Sequence, residues 1–192
     1  MHCFFVCWGE KMCDSLIKAT EKDFAPLTQF YRHAVENTED MGRYARWVYG
    51  RHPTDEMILG YIKSGTMYFI RENGAVAAAV AVVPHQGAEY HDAAWELEVK
   101  DDEVSVVHIL CVAPEFQGRG LAGKLMRRVA ELSRQSGKKA IRLDAMACNI
   151  PARHLYESLG FVCADRKRWH TDNAGWTDFL LYELRLSAGT PR

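Results

Sequence analysis

Residues 107–123 decide the fold and read Val-His-Ile-Leu-Cys-Val-Ala-Pro-Glu-Phe-Gln-Gly-Arg-Gly-Leu-Ala-Gly. The apolar run ending at Val112 is typical of a buried strand, and it passes through a connector with Pro114 into a glycine-bearing turn. A long amphipathic helix follows. The first turn of a helix offers unpaired backbone N–H groups and the positive end of the helix dipole. We therefore expect this turn to bind a phosphate group.

Two common nucleotide-binding motifs fit the turn poorly. Residues 118–124 match the P-loop pattern, but Leu125 replaces the Ser or Thr whose hydroxyl would hold magnesium. A P-loop also follows its strand closely, whereas here the predicted strand ends well before Gly118. The glycine spacing differs from the dinucleotide-binding (Rossmann) fingerprint as well. On these residues alone, a turn that merely admits a helix remains the alternative.

Hydrophobic periodicity predicts further elements on both sides of the turn. Asn73-Gly74 between two apolar runs predicts a hairpin. The predicted strands cover residues 15–20, 67–71, 75–84, 106–112, 140–145, 161–166 and 176–186, with a strand edge at 95–99 inside a polar loop over 85–103. The predicted helices cover residues 22–36, 41–49, 53–65, 118–136 and 151–159. This order predicts an α/β fold (α+β, mixed sheet).

The totals limit the classes of function. A net charge of −1 over 192 residues gives no bulk electrostatic argument for binding nucleic acid or an anionic membrane. No apolar run has the length of a membrane span or the flanks of a secretion signal, so we expect a cytoplasmic protein with reduced thiols. We expect residues 14–187 to form a single domain. Residues 1–13 would be a disordered or loosely ordered extension.

Cysteine spacing gives little support for a metal site. Cys3, Cys7 and Cys13 could ligate a metal as a group, but the six cysteines include no Cys-x-x-Cys pair. We expect no metal.

Two blocks of the sequence resemble those of the GNAT superfamily, the acyl-CoA-dependent N-acyltransferases. Residues 117–122, Gln-Gly-Arg-Gly-Leu-Ala, fit the family's Gln/Arg-x-x-Gly-x-Gly/Ala signature, and residues 110–114, Leu-Cys-Val-Ala-Pro, fit its Leu-x-Val-x-Pro strand end. A second block starts at Asn149 and contains Leu-Tyr-Glu-Ser-Leu-Gly-Phe at 155–161. The resemblance covers most of the chain and implies a GNAT-like fold, with a central mixed β-sheet flanked by helices.

The resemblance implies acetyl-CoA as co-substrate. In the family, backbone N–H groups of the glycine turn hold the pyrophosphate, and the pantetheine arm pairs with the main chain of the splayed central strand. Glycine suits the turn because a Cβ would block the close approach of a phosphate. The expected cofactor-binding residues are Leu110, Cys111, Val112, Gln117, Gly118, Arg119, Gly120, Leu121, Ala122, Gly123 and Asn149.

The resemblance also implies a general acid. A tyrosine at the position of Tyr156 serves the family by donating a proton to the CoA sulfur. The alternative for Tyr156 is a core tyrosine whose hydroxyl is satisfied elsewhere.

His108 is the candidate general base. Strand alternation places it on one face with Val106, Leu110 and Val112, and the arylalkylamine acetyltransferases, which are similar here, have a catalytic histidine at this place. A packed strand histidine is the alternative. Glu96 or Glu98, acting through water, are alternative bases.

The expected reaction is direct transfer of an acetyl group from acetyl-CoA to a primary amine of a small molecule or peptide. A longer acyl donor, or a non-catalytic acyl-CoA-binding sensor, is the alternative. A homodimer is left open. The family's usual acceptor pocket would be lined here by Tyr44, Trp47, His52, Tyr90 and Trp95.

Overall fold

The computed structural model describes residues 15–186, so the expected N-terminal extension with Cys3, Cys7 and Cys13 lies outside the described residues. Seven strands form one mixed sheet in the order β1-β2-β3-β4-β5-β7-β6, which confirms the predicted fold class. The strands are β1 (Ile17–Lys18), β2 (Met67–Glu72), β3 (Ala75–Val83), β4 (Val104–Val112), β5 (Ala140–Met146), β6 (Val162–Thr171) and β7 (Gly175–Arg185).

Five α-helices accompany the sheet in the described part of the chain, and a side-chain cap begins two of them. The Thr54 hydroxyl accepts a hydrogen bond from the Met57 N–H at 3.1 Å and so caps a helix N-terminus. The helices are α1 (Phe24–Asn37), α2 (Met41–Tyr44), α3 (Asp55–Lys63), α4 (Leu121–Gln135) and α5 (Ile150–Ser158). No helix between residues 15 and 186 is long and apolar enough to cross a membrane.

Helices α1 and α4 both pack against β3, whose run of alanines is fully buried. Small side chains on a strand let helices approach its backbone closely. Larger side chains such as Leu27 and Leu125, each with no exposed surface, then fill the core between the layers.

The sheet opens between β4 and β5. These two strands pair in parallel only over Val104–Val106 and Ala140–Arg142, and the pairing ends there. Beyond Val106, β4 keeps its antiparallel neighbour β3 but pairs no further with β5. Backbone groups of residues 107–112 on the β5 side therefore have no strand partner there, although the Ile109 and Val112 carbonyls accept hydrogen bonds from the side chains of Tyr31 and Gln117.

A bulge in β4 changes the predicted face of His108. His108 opposes Ala81 and Cys111 opposes Ala79, so three steps along β4 correspond to two along β3. Ile109 takes a φ of 43°, which is rare for a β-branched residue. The expectation that His108 shares a face with Leu110 and Val112 is therefore wrong, because the extra residue reverses the alternation.

Two other predicted elements differ from the structure. The helix predicted over 41–49 ends at Tyr44, and Arg46 adopts a φ of 54° in the left-handed region, which does not continue a helix. Residues 95–99 form no strand. The Leu97 N–H donates to Glu183 Oε2 at 3.2 Å, and its carbonyl accepts from Arg142 Nη2 at 2.7 Å, so side chains replace a neighbouring strand.

Candidate active site

A cleft of about 910 Å³ lies where β4 and β5 part. Its walls include the exposed side of β4, the end of β5, the glycine turn before α4 and the first turns of α5. It thus brings together the two sequence blocks, residues 110–122 and residues 149–161, which α4 and β5 separate along the chain. From these elements the lining residues include Leu110, Cys111, Val112, Gln117, Gly118, Gly120, Leu121, Ala122, Gly123, Asn149 and Tyr156.

The glycine turn takes a left-handed backbone conformation at two positions. Gly118 and Gly120 have φ values of 74° and 73°, and Gly120 is the N-cap of α4. A Cβ built on either glycine would meet no atom within 4 Å, so conformation and not crowding requires glycine here. The open space before both residues belongs to the cleft, into which a phosphate could approach the backbone.

Gln117 joins the turn to two other elements. Its Nε2 donates to the Val112 carbonyl and to the Thr38 hydroxyl, each at 3.1 Å. The side chain therefore braces the turn against the end of β4 and the end of α1. Arg119 does not line the cleft, and its guanidinium lies 5.5 Å from the centre of the Phe116 ring.

Cys111 is buried, and burial raises the pKa of its thiol to about 12. Such a thiol stays protonated at neutral pH and is a poor nucleophile. This agrees with the expectation that Cys111 would contribute through its main chain.

Tyr156 lies in α5 with its ring 5.7 Å from those of Phe161 and Tyr182, and its side chain lines the cleft. No group of residues 15–186 forms a hydrogen bond with its hydroxyl. Burial, with a smaller contribution from the charge of Asp144, raises the pKa of Tyr156 well above its ordinary value. The hydroxyl is thus protonated at neutral pH and can donate.

Asn149 has the role of a cap. Its Oδ1 accepts from the Ala152 N–H at 3.2 Å at the start of α5. The amide nitrogen carries two further donors, and the residue lines the cleft, so capping leaves a donor for a ligand.

His108 lies in the same cleft, half-buried, with its imidazole stacked on the Tyr61 ring at 6.1 Å. Burial lowers the pKa of His108, and the charges of Asp144 and Glu89 oppose this shift. His52 lines the cleft as well, and burial also lowers its pKa. Both imidazoles are therefore neutral near pH 7 and able to accept a proton.

Asp144 is a residue of the cleft that no sequence motif indicates. This half-buried carboxylate on β5 lines the cleft and accepts a hydrogen bond from the Tyr90 hydroxyl at 2.6 Å. The only signal in the sequence is a single acid in a strand whose other residues, except Arg142, are apolar.

The alternative bases Glu96 and Glu98 are exposed and do not line the cleft. Glu96 pairs with Arg185 at 2.7 Å. Of the residues expected around the acceptor, Tyr44, Trp47 and His52 line the cleft, while Trp95 instead stacks on Tyr90 with ring centres 5.8 Å apart. Among residues 15–186, no group of three His, Cys, Asp or Glu side chains could hold a metal ion.

The sequence model of the acetyltransferase (GNAT) family matches residues 15–161. Two bacterial relatives are each 27% identical to the chain. The L-amino acid N-acyltransferase MnaT of Escherichia coli aligns over 181 residues, which are 90% of this chain and 94% of that protein. The L-methionine sulfoximine/L-methionine sulfone acetyltransferase of Salmonella typhimurium aligns over 177 residues, 88% and 92% of the two chains.

Solved structures share the fold at lower identity. The yncA structure from Salmonella typhimurium, which holds its cofactor acetyl-CoA, has a TM-score of 0.66 at 22% identity over 93% of this chain and 96% of that one. A GNAT-family acetyltransferase from Streptococcus agalactiae has a TM-score of 0.69 at 17% identity over 89% and 94%. These likenesses confirm the expected GNAT-like arrangement of elements.

Proposed function

The chain belongs to the acetyltransferase (GNAT) family, and on that premise we propose that it transfers an acetyl group from acetyl-CoA directly to a primary amine. One observation carries the proposal. The turn that precedes α4 contains two glycines with positive φ and lines the cleft. The same cleft is lined by the part of β4 that no longer pairs with β5. The turn supplies N–H groups for a diphosphate and the strand supplies backbone partners for an amide-bearing arm.

Gln117 supports the cofactor part of the proposal. It fixes the turn to Val112, the last residue of β4, so the diphosphate and the arm would meet surfaces of fixed separation. Such preorganisation lowers the ordering cost of binding. Leu110, Val112 and Asn149 would contact the arm, and Gly118 to Gly123 would contact the phosphates.

His108 is proposed as the general base. An alkyl ammonium must lose a proton before its nitrogen can attack, and a buried neutral imidazole beside the cleft can accept it. The nitrogen lone pair then forms the new C–N bond at the thioester carbonyl.

Tyr156 is proposed as the general acid. When the C–S bond breaks, the CoA thiolate takes the hydroxyl proton of Tyr156, and the attacking nitrogen, now positively charged, gives up a second proton that restores the tyrosine. One acetamide, one thiol and one released proton, left on His108, balance the reaction. A non-catalytic sensor would not need an unbonded tyrosine hydroxyl and a neutral imidazole in one cleft.

A free amino acid is a candidate acceptor. Both bacterial relatives are named for acylating amino acids or their analogues. In this chain Arg51 and Asp144 both line the cleft, which provides one positive and one negative group. These could meet the carboxylate and the ammonium of the same molecule.

Residues 14–187 are proposed to act as one domain, and the single sheet supports this proposal.

A panel of amines, amino acids and short peptides with acetyl-CoA, monitored by free thiol, tests the proposal. We expect amine-dependent thiol release that exceeds slow hydrolysis. Acetyl-CoA binding without release for any amine would instead support the sensor. A panel of longer acyl-CoA donors with the best amine would decide the acyl length.

A further inference from the structure

Asp144 lies at the point where the sheet divides. The last paired residues of β4 and β5 are Val106 and Arg142. His108 and Asp144 each follow two residues later on their own strand, so they sit at equivalent positions on either side of the opening. Both side chains line the cleft, and they form no hydrogen bond with each other.

The negative charge of Asp144 acts on the whole site. Burial lowers the pKa of both His108 and His52, and the charge of Asp144 opposes this shift. Burial raises the pKa of Tyr61, Tyr90 and Tyr156, and the same charge adds to this shift, because a nearby anion favours the protonated form. The Asp144 side chain lines the same cleft as His108 and Tyr156.

Asp144 has a positioning partner but no cation. The buried Tyr90 hydroxyl donates to it, and no Lys, Arg or His of residues 15–186 forms an ion pair with it. A half-buried carboxylate without a counter-charge is costly, and a cationic ligand would offset that cost. The Tyr90 ring is fixed between those of Trp95 and Trp169, at 5.8 and 6.2 Å, so its hydroxyl holds the carboxylate in place.

Several aromatic rings line the cleft that contains this charge. Tyr61, Trp47, Trp169 and Phe179 line the same cleft. Trp169 packs on Phe179 with ring centres 5.5 Å apart, and Tyr61 stacks on His108. Aromatic faces attract cations and also contact the carbon skeleton that carries them.

We propose that Asp144 determines acceptor specificity by binding the acceptor as an ammonium ion, whose apolar body lies against these aromatic rings, and that Tyr90 is its positioning residue. This inference rests on the proposed function and adds the chemical class of the acceptor. The bound ammonium gives one proton to the His108 imidazole, which faces Asp144 across the opening. The neutral amine keeps its electron pair for the thioester carbon, so Asp144 itself gains and loses no bond.

The test compares 2-phenylethylamine with 2-phenylethanol, which has the same body without the positive charge. Dissociation constants are measured by calorimetry on the full chain saturated with CoA, so no transfer can occur. We expect the wild type to bind the ammonium at least about tenfold more tightly than the alcohol. Asp144→Asn should remove this preference, with affinity for the alcohol retained.

Asp172→Asn is the matched control, because Asp172 also lines the cleft, near the tip of the β6–β7 hairpin. It should keep the preference for the ammonium. Equal affinity for both probes in the wild type, binding of neither, or a preference that survives in Asp144→Asn would overturn the inference. If Asp144→Asn does not fold, the comparison of the two probes in the wild type still tests the inference, because equal affinity for both would overturn it.

The two levels of the proposal fail separately. CoA binding to the same preparation is measured first, and its absence would overturn the proposed function. Tight CoA binding with no charge preference would overturn only the role of Asp144.

Discussion

His108 and Asp144 face each other from the two strands that part at the cleft, each two residues beyond the last paired positions. This arrangement places a neutral imidazole opposite a carboxylate without a hydrogen bond between them. A base and an anion held apart in this way can act on the same ligand nitrogen. The anion binds its positive charge, and the base takes its proton.

Gly120→Glu should abolish the thermal stabilisation by acetyl-CoA. At a ligand concentration of 100 Kd, the wild type should gain about 5–10 °C in Tm, measured by scanning fluorimetry. The mutant should show no gain, because a side chain would fill the open space before the turn and add a negative charge.

Gly137→Glu is the control for Gly120→Glu. Gly137 has a φ of 72°, follows the other end of α4 and also faces open space. Both variants carry the same backbone strain, so both should have a lower Tm without ligand, but only Gly137→Glu should keep the gain. A gain that persists in Gly120→Glu would show that the diphosphate binds elsewhere.

Tyr156→Phe should lower kcat by at least about tenfold, because a general acid contributes about 10²- to 10⁴-fold, and should change stability little. Stability should hold because the hydroxyl bonds no group in residues 15–186. Tyr182→Phe is the control: its ring contacts Tyr156, but its hydroxyl bonds Glu157 at 3.0 Å. It should cost about 1 kcal/mol of stability and leave kcat unchanged. Unaltered turnover in Tyr156→Phe would remove this residue from the mechanism.

The rate of acetyl transfer should fall at low pH as His108 becomes protonated. Because burial lowers the pKa of His108, this acid limb should lie below the ordinary histidine value of about 6.5. His108→Gln should remove the limb from the profile of kcat/KM, and His52→Gln should keep it. The reverse result would make His52 the base, since burial lowers the pKa of His52 too.

Arg142→Met should destabilise the fold by about 3–5 kcal/mol in urea unfolding, the cost of leaving a buried charge without its partner. Arg142 and Glu183 are 2% and 3% exposed, and their nitrogen and oxygen lie 2.8 Å apart. Arg166→Met removes an exposed ion pair with Asp178 and should cost much less. Equal losses would mean that the buried pair adds nothing beyond a surface pair.

Much of the fold follows from patterns within short stretches of the chain. Asn73-Gly74 predicts the β2–β3 hairpin, and the apolar repeat after residue 120 predicts α4, because turn chemistry and periodicity act over a few residues. The predicted helix over 41–49 was wrong past Tyr44, since the left-handed Arg46 is set by the surrounding structure.

In the candidate site too, some features can be predicted from short stretches of the chain and others cannot. The glycine turn and the block containing Tyr156 are readable because their residue types and spacing are local. The bulge at Ile109 cannot be predicted from the sequence, because it exists only as a mismatch in register between β4 and β3. It changed which residues share the face of His108.

By itself, the sequence determined the family and most of the strands and helices, and it predicted the turn that we propose holds a diphosphate. Only the tertiary structure decided that Asp144 lines the cleft, that Glu96 and Glu98 do not, and that Arg142 holds Leu97 in place of a strand partner. The physical reason is the distance along the chain over which each effect acts. Propensity and periodicity act between near neighbours in the chain, whereas the position of one strand beside another is set by packing and pairing across the whole sheet.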